Sequence, residues 1–268
     1  MEIPEYDFDA IKVVKEGFNR IEGIKQPFIV AFSVYIAIAI IVYFVLGLIF
    51  PSTTENPNIL NQQIVGILSY PVLVPLLAGI MMMAINHHKD VPDALNIKNI
   101  FNYYHLTGTL AFASLLIYLM TMFVPLMIML FPTIFLNFIG VGQGTALILM
   151  FIGMFIFLLF IMYLSIVYIF TLPLIVDKGL SAWEAMELSR KTAHVRWGKI
   201  GLVITLLSLG VIAGILSFGI ILIWAIPLFF VTMYGMLYVR IFDEVMKEHG
   251  KVHLMTHNRF DLCAELIG

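Results

Sequence analysis

The chain has 268 residues, 61% of them hydrophobic and only 12% charged, with a formal net charge of −2 at pH 7. Soluble domains carry roughly a quarter charged residues, so this composition belongs to an integral membrane protein. The near-neutral balance argues against a nucleic-acid partner, which would need a clustered excess of Lys and Arg to release counterions.

The chain opens MEIPEYDFDA, acidic rather than basic, and the first apolar run begins at Pro27 with no small-residue cleavage site behind it. A removable signal peptide is therefore not expected. One helical crossing needs about 20 apolar residues. The runs 27–50 and 64–86 each fit one span. The runs 107–137 and 145–176 exceed the minimum and are interrupted or ended by Pro125, Pro132 and Pro173, so each is read as one tilted or kinked span. Gly201 to Val239 carries no charge and is about twice a crossing long. It is expected to fold back at Ser217-Phe218-Gly219, giving spans 199–217 and 219–241.

All fifteen Lys and Arg residues fall before the first span, in the connections after spans two and four, beyond span six, or, as Lys199 and Arg240, at the span ends on that same side. The connections 51–63, 138–144 and 217–219 have none. By the positive-inside rule both termini are cytoplasmic, leaving a segment 1–26, a membrane domain 27–241 and a tail 242–268.

Residues 181–197, SAWEAMELSRKTAHVRW, read as an amphipathic helix lying on the cytoplasmic membrane surface. Ser181 and Glu184 match a capping box, Glu187 and Lys191 an i, i+4 pair, and Gly198 a stop. Trp183, Met186 and Trp197 are the expected interfacial anchors, facing lipid. A similar helix precedes span one, with Ile11, Val14, Phe18 and Ile21 as its stripe. A weaker copy at 93–105 has Asp93 as cap and Ile97, Ile100, Phe101 and Tyr104 as stripe. The predicted fold is thus all-α: six transmembrane helices as three hairpins, each preceded by a cytoplasmic interfacial helix. That repeat is one of pattern rather than residue identity. Its plain alternative is that any helix joining two spans on one face looks amphipathic.

The segment from PLIVDKGLSAWEAMELSRK to IPLFFVTMYGMLY resembles the C-terminal half of a group of uncharacterised bacterial inner-membrane proteins. This group includes the YciC-like proteins and the membrane domain attached to some glycerophosphodiester phosphodiesterases. Pro173 to Asp177, Ala185 to Arg190, Trp197, Pro227 and Tyr234 carry the likeness, which covers residues 165–240. It implies a six-span bacterial inner-membrane protein and transfers no active site. A phosphodiesterase barrel would need about 250 further residues.

Four features are candidate sites. Ser69, Tyr70, Pro71 and Pro75 in span two are either a broken-helix cavity or a kink that aids packing. Gly210, Ala213, Gly214 and Ser217 form a small-residue face on span five, for contact with span six or with another protomer. His249, His253 and His257, continued by Asp261 and Glu265 and with Cys263 nearby, recur at helical spacing. They are read either as a Zn²⁺ site or as a solvated tail. His87 and His88 with Asp90 and Asp93 are most simply a polar membrane exit. The apolar runs 27–50, 64–86, 107–137, 145–176 and 201–239 hold no Asp, Glu, Lys, Arg or His, which weighs against a proton-coupled pump. No cofactor is expected apart from that Zn²⁺. The expected partners are the lipid bilayer and either the chain itself, as a homo-oligomer, or other envelope proteins. The first functional expectation is a non-catalytic assembly or scaffold protein. The alternatives are a channel or transporter through the proline-broken spans and an enzyme acting on lipid head groups.

Overall fold

A computed structural model describes residues 7–51, 58–122 and 143–244. Among these the chain is all-helical: α1 (Ala10–Arg20), α2 (Lys25–Ile49), α3 (Ile59–His88), two short 3-10 turns at Ile97–Phe101 and Tyr104–Leu106, α4 (107–122), α5 (Gln143–Val167), α6 (Thr171–Lys178), α7 (Ala182–Val195), α8 (Trp197–Leu216) and α9 (Leu222–Phe230). α9 runs on without a break into π-helical turns at Val231–Tyr238 and Arg240–Glu244. Six helical segments are long and apolar enough to cross a membrane: Lys25–Ile49, Leu60–His88, Ile97–Met122, Phe151–Lys178, Trp197–Leu216 and Leu222–Asp243.

Local chemistry sets most of the ends. The Asp9 side chain accepts from the backbone N–H groups of Ile11 and Lys12, at 2.9 and 3.2 Å, and starts α1. Gly23, at φ +87°, then lets the chain turn into α2. The capping box of Ser181 and Glu184 is formed in full at the start of α7. The fold-back expected at 217–219 is there: Phe218 and Gly219 take φ of +53° and +91°, and the Ser217 hydroxyl accepts from the Ile221 N–H at 3.1 Å. Gly198 does not end α7. The chain breaks at Arg196, and Gly198 lies in the first turn of α8.

α3 and the sixth span form the centre, because small residues let backbones meet there. A Cβ on Gly235 would lie 3.0 Å from the Ala84 carbonyl oxygen, and one on Gly79 only 2.4 Å from that of Ile100. Phe170, Tyr238 and Phe242 cluster beside them in tilted and edge-on contacts, with centroids 5.0 to 6.1 Å apart. α3 continues as one helix through Pro71 and Pro75. The span-four helix is the one that breaks, at 168–170, and the buried Ser189 hydroxyl of α7 donates to the Val167 carbonyl left there, at 2.7 Å.

Of the amphipathic stripes expected outside the spans, those of α1 and of 93–105 are altered, whereas on α7 Ala182, Met186, Ser189 and Ala193 do form one buried face, turned to protein rather than lipid. α1 buries Ala10, Val13 and Gly17, followed by Ile21, whereas Ile11 and Phe18 are exposed. Its apolar face is wide enough to dock one edge on the protein and leave the other edge outward. A Cβ on Gly17 would fall 2.1 Å from the Thr232 hydroxyl, so the docked edge lies hard against the sixth span. α7 buries Ala182, Ala185, Met186, Ser189 and Ala193. Residues 93–105 do not form an α-helix: Asp93 sits at φ +56°, and the cap is Asn96, which accepts from Lys98 N–H at 3.0 Å before a 3-10 turn. The close approach of Ile100 to Gly79 fixes that segment against α3.

Candidate functional site

One end of the bundle gathers the charges. α3 closes in a Schellman turn: Val91 N–H reaches Asn86 O at 3.0 Å, Asp90 N–H reaches His87 O at 3.2 Å, and Asp90 takes φ +55°. This leaves Lys89 at the helix tip. Asp177 and Lys178 end α6, which Gly179 stops at φ +68°. Asp243 comes from the second π-helical turn. The chain therefore brings together the same end of spans two, four and six.

These four residues form an alternating ring. Lys89 Nζ lies 2.8 Å from Asp177 and 2.7 Å from Asp243; Lys178 Nζ lies 3.2 Å from Asp177 and also pairs with Asp243. The buried Tyr238 hydroxyl donates at 2.9 Å to Asp177 Oδ2, the oxygen that also faces Lys178. Each side chain is only 11 to 24% exposed. Burial alone would lower the Lys89 pKa, but the carboxylates of Asp177 and Asp243 hold it above the usual lysine value. Two positive and two negative groups sum to zero, the condition under which such charges can sit in a largely dry place.

Around the ring lie looser contacts. Arg20 of α1 donates to His88 Nδ1 at 2.9 Å. Asp7 pairs with Lys199 and, at 3.6 Å, with Arg196; the Lys199 hydrogen bond is the main cause of its lowered pKa. On α7, Glu187 receives a two-point contact from Arg190, at 2.8 and 3.0 Å, and lies 3.7 Å from Lys191. The Arg190 hydrogen bonds lead in lowering the Glu187 pKa. Between α1, the end of α3 and the π-helical turns lies a pocket of about 140 Å³, lined by Val13, Glu16, Arg20, His88, Met236 and Arg240 among others.

Most of the candidates read from the sequence lie elsewhere. Ser69 is buried and donates to Gly66 O at 2.7 Å within its own helix; Tyr70 packs edge-on to Tyr118, Pro75 is buried and Pro71 exposed. With α3 unbroken, these four residues sit on a continuous helix rather than at a gap. On α8, a Cβ on Gly214 would lie 2.6 Å from Leu222 of the following span, whereas Gly210 has ordinary space beside Ala225; Ser217 caps the turn and Ala213 is half-buried. Trp183 and Trp197 are exposed, and Trp197 packs edge-on to Tyr163 at 6.2 Å. Met186, at 3% exposure, is enclosed by protein rather than facing lipid, because α7 lies against α5 and α6. His249, His253 and His257 lie outside the described residues, as do Asp261, Cys263 and Glu265. Among the described residues, no group of three His, Cys, Asp or Glu is placed to hold a metal ion.

The sequence reading missed the ring itself. It ended spans four and six at residues 176 and 241, so Asp177 and Asp243 fell outside; the helices run on and enclose both. A signal was available: a Lys or Asp ends each of the three even-numbered spans.

No family model, curated protein or solved structure matches the chain.

Proposed function

We propose that the chain is a six-span protein of the bacterial inner membrane, with both termini cytoplasmic, and that it works as a non-catalytic assembly or scaffold protein. The bacterial assignment rests on the likeness of residues 165–240 to the YciC-like proteins, and the orientation on the placement of the basic residues. The observation that carries the scaffold reading is the closed ring. Among the described residues, the charges that enter the bundle end, Lys89, Asp177, Lys178 and Asp243, are occupied by one another at the ends of three spans. A catalytic or proton-carrying set needs a group poised to exchange a proton. This ring binds its protons and carboxylates into structure. The outward apolar faces of α2 (Ile40, Ile41, Phe44, Leu48) and α5 (Phe151, Phe155, Leu158, Leu159) then supply the lateral surface for lipid and for other helices.

Purified protein in lipid nanodiscs is expected to run as a defined oligomer or with a co-purifying membrane protein, and in liposomes to leave ion and solute leak at background. A monomer that conducts overturns the reading. Reporter fusions after Asn58 and Gln143 are expected outside the cytoplasm and one after Lys191 inside; an external Lys191 would reverse the orientation.

A further inference from the structure

We infer that the pocket between α1 and the π-helical turns binds a phosphoryl anion, with Arg20 and Arg240 as its cationic walls. The inference uses the membrane reading of this chain but not the scaffold reading. Its basis is the pocket's chemistry. Arg20 and Arg240 come from helices far apart in sequence and line one cavity of about 140 Å³, with His88 between the elements. One water needs only about 10–15 Å³ of such cavity volume, so a tetrahedral headgroup fits. Guanidinium groups present planar pairs of N–H donors matched to phosphate oxygens. Arg20 already holds one donor toward His88, at 2.9 Å, which fixes its direction. Among the described residues Arg240 has no ion-pair partner, and it is exposed at the rim. Glu16 offsets one of the two positive charges and leaves an excess of one.

The rest of the wall is apolar: Val13 and Met236 are buried, as is Leu237. A phosphate ester carrying an apolar tail satisfies both halves. Met236 and Arg240 both lie in π-helical turns, and such wide turns recur at functional sites.

The test uses the full chain in neutral detergent. Short-chain phosphatidylglycerol, short-chain phosphatidylcholine and inorganic phosphate are each titrated, with binding read by native mass spectrometry and by the shift in unfolding midpoint. Phosphatidylglycerol is expected to bind and stabilise, and phosphatidylcholine, whose choline cancels the charge, to do so far less. In the R20Q/R240Q variant the phosphatidylglycerol affinity is expected to fall by about tenfold or more, since two charge-assisted hydrogen-bonding groups are lost. Glu16→Gln, at a half-buried side chain whose one ion pair is a loose 4.0 Å contact with the exposed Lys12, is expected to leave the fold intact and to tighten binding severalfold. It keeps the test open should the double variant fail to fold. Binding of inorganic phosphate as tightly as the lipid also supports the site and assigns it a soluble ligand. Equal binding of the two lipids, no response to any probe, or an affinity unmoved by Glu16→Gln overturns the inference.

Discussion

Replacing Asp177 by Ala is expected to lower the stability of the purified protein by about 3 kcal/mol, the largest loss of any single change in the ring. The Asp177 carboxylate receives Lys89, Lys178 and the buried Tyr238 hydroxyl. Without it, two ammonium groups share the one carboxylate of Asp243, and a buried phenol loses its acceptor, which alone costs roughly 1–3 kcal/mol. The residual exposure of these side chains keeps the total below that of a fully dry ion pair. Asp243→Ala strands no hydroxyl, so its loss should be smaller. Denaturant or thermal unfolding in detergent checks the order. A variant lacking Asp177 that unfolds with the wild type would show that the ring carries no weight.

The second large effect is expected at Gly79. A methyl group there would meet the carbonyl oxygen of Ile100 at 2.4 Å and its Cα at 2.6 Å, and both are backbone atoms that no rotamer change can move. The segment 97–101 would have to leave α3, and overpacking of this kind costs about 2–3 kcal/mol. Gly66, on the same helix, has nothing within 4 Å of its added Cβ. Gly66→Ala is therefore the control and is expected to be neutral, or to stabilise by a few tenths of a kcal/mol. Unfolding midpoints of the two variants side by side make the comparison. Equal midpoints would mean that the close approach of α3 and Ile100 is not a fixed contact.

How much of this was legible before the structure varies by the range of the interaction. Hydrophobic runs and local capping chemistry are encoded in neighbouring residues, so the six apolar helices, the turn at 217–219 and the Ser181–Glu184 box could be read directly. The ring joins residues 61 and 88 positions apart, Tyr238 and Lys89 each meeting Asp177, and nothing in a single sequence pairs them. Its charges also sit where topology-marking charges belong, which concealed their second role. Met186 shows another limit. An apolar stripe beside a membrane faces lipid or protein with the same composition, and only the placement of α5 and α6 decides between them. The segment at 93–105 failed for a different reason. Its apolar spacing suits a helix, but Asp93 adopts a left-handed conformation and Asn96 starts a 3-10 turn instead, under the close contact with Gly79. The two glycines with the tightest surroundings, Gly17 and Gly79, lie outside the small-residue face of Gly210, Ala213, Gly214 and Ser217 that the sequence makes conspicuous.

That the ends of spans two, four and six are held by one shared, neutral ring is tested most directly by a double-mutant cycle. Lys89→Met and Asp243→Asn each leave the ring with an unbalanced charge, whereas the double variant leaves the neutral pair of Asp177 and Lys178. The double variant is expected to be more stable than the sum of the two single losses by about 1–3 kcal/mol, the range found for residues in one ion-pair network. Losses that add to within about 0.5 kcal/mol, as for distant independent sites, would contradict the ring.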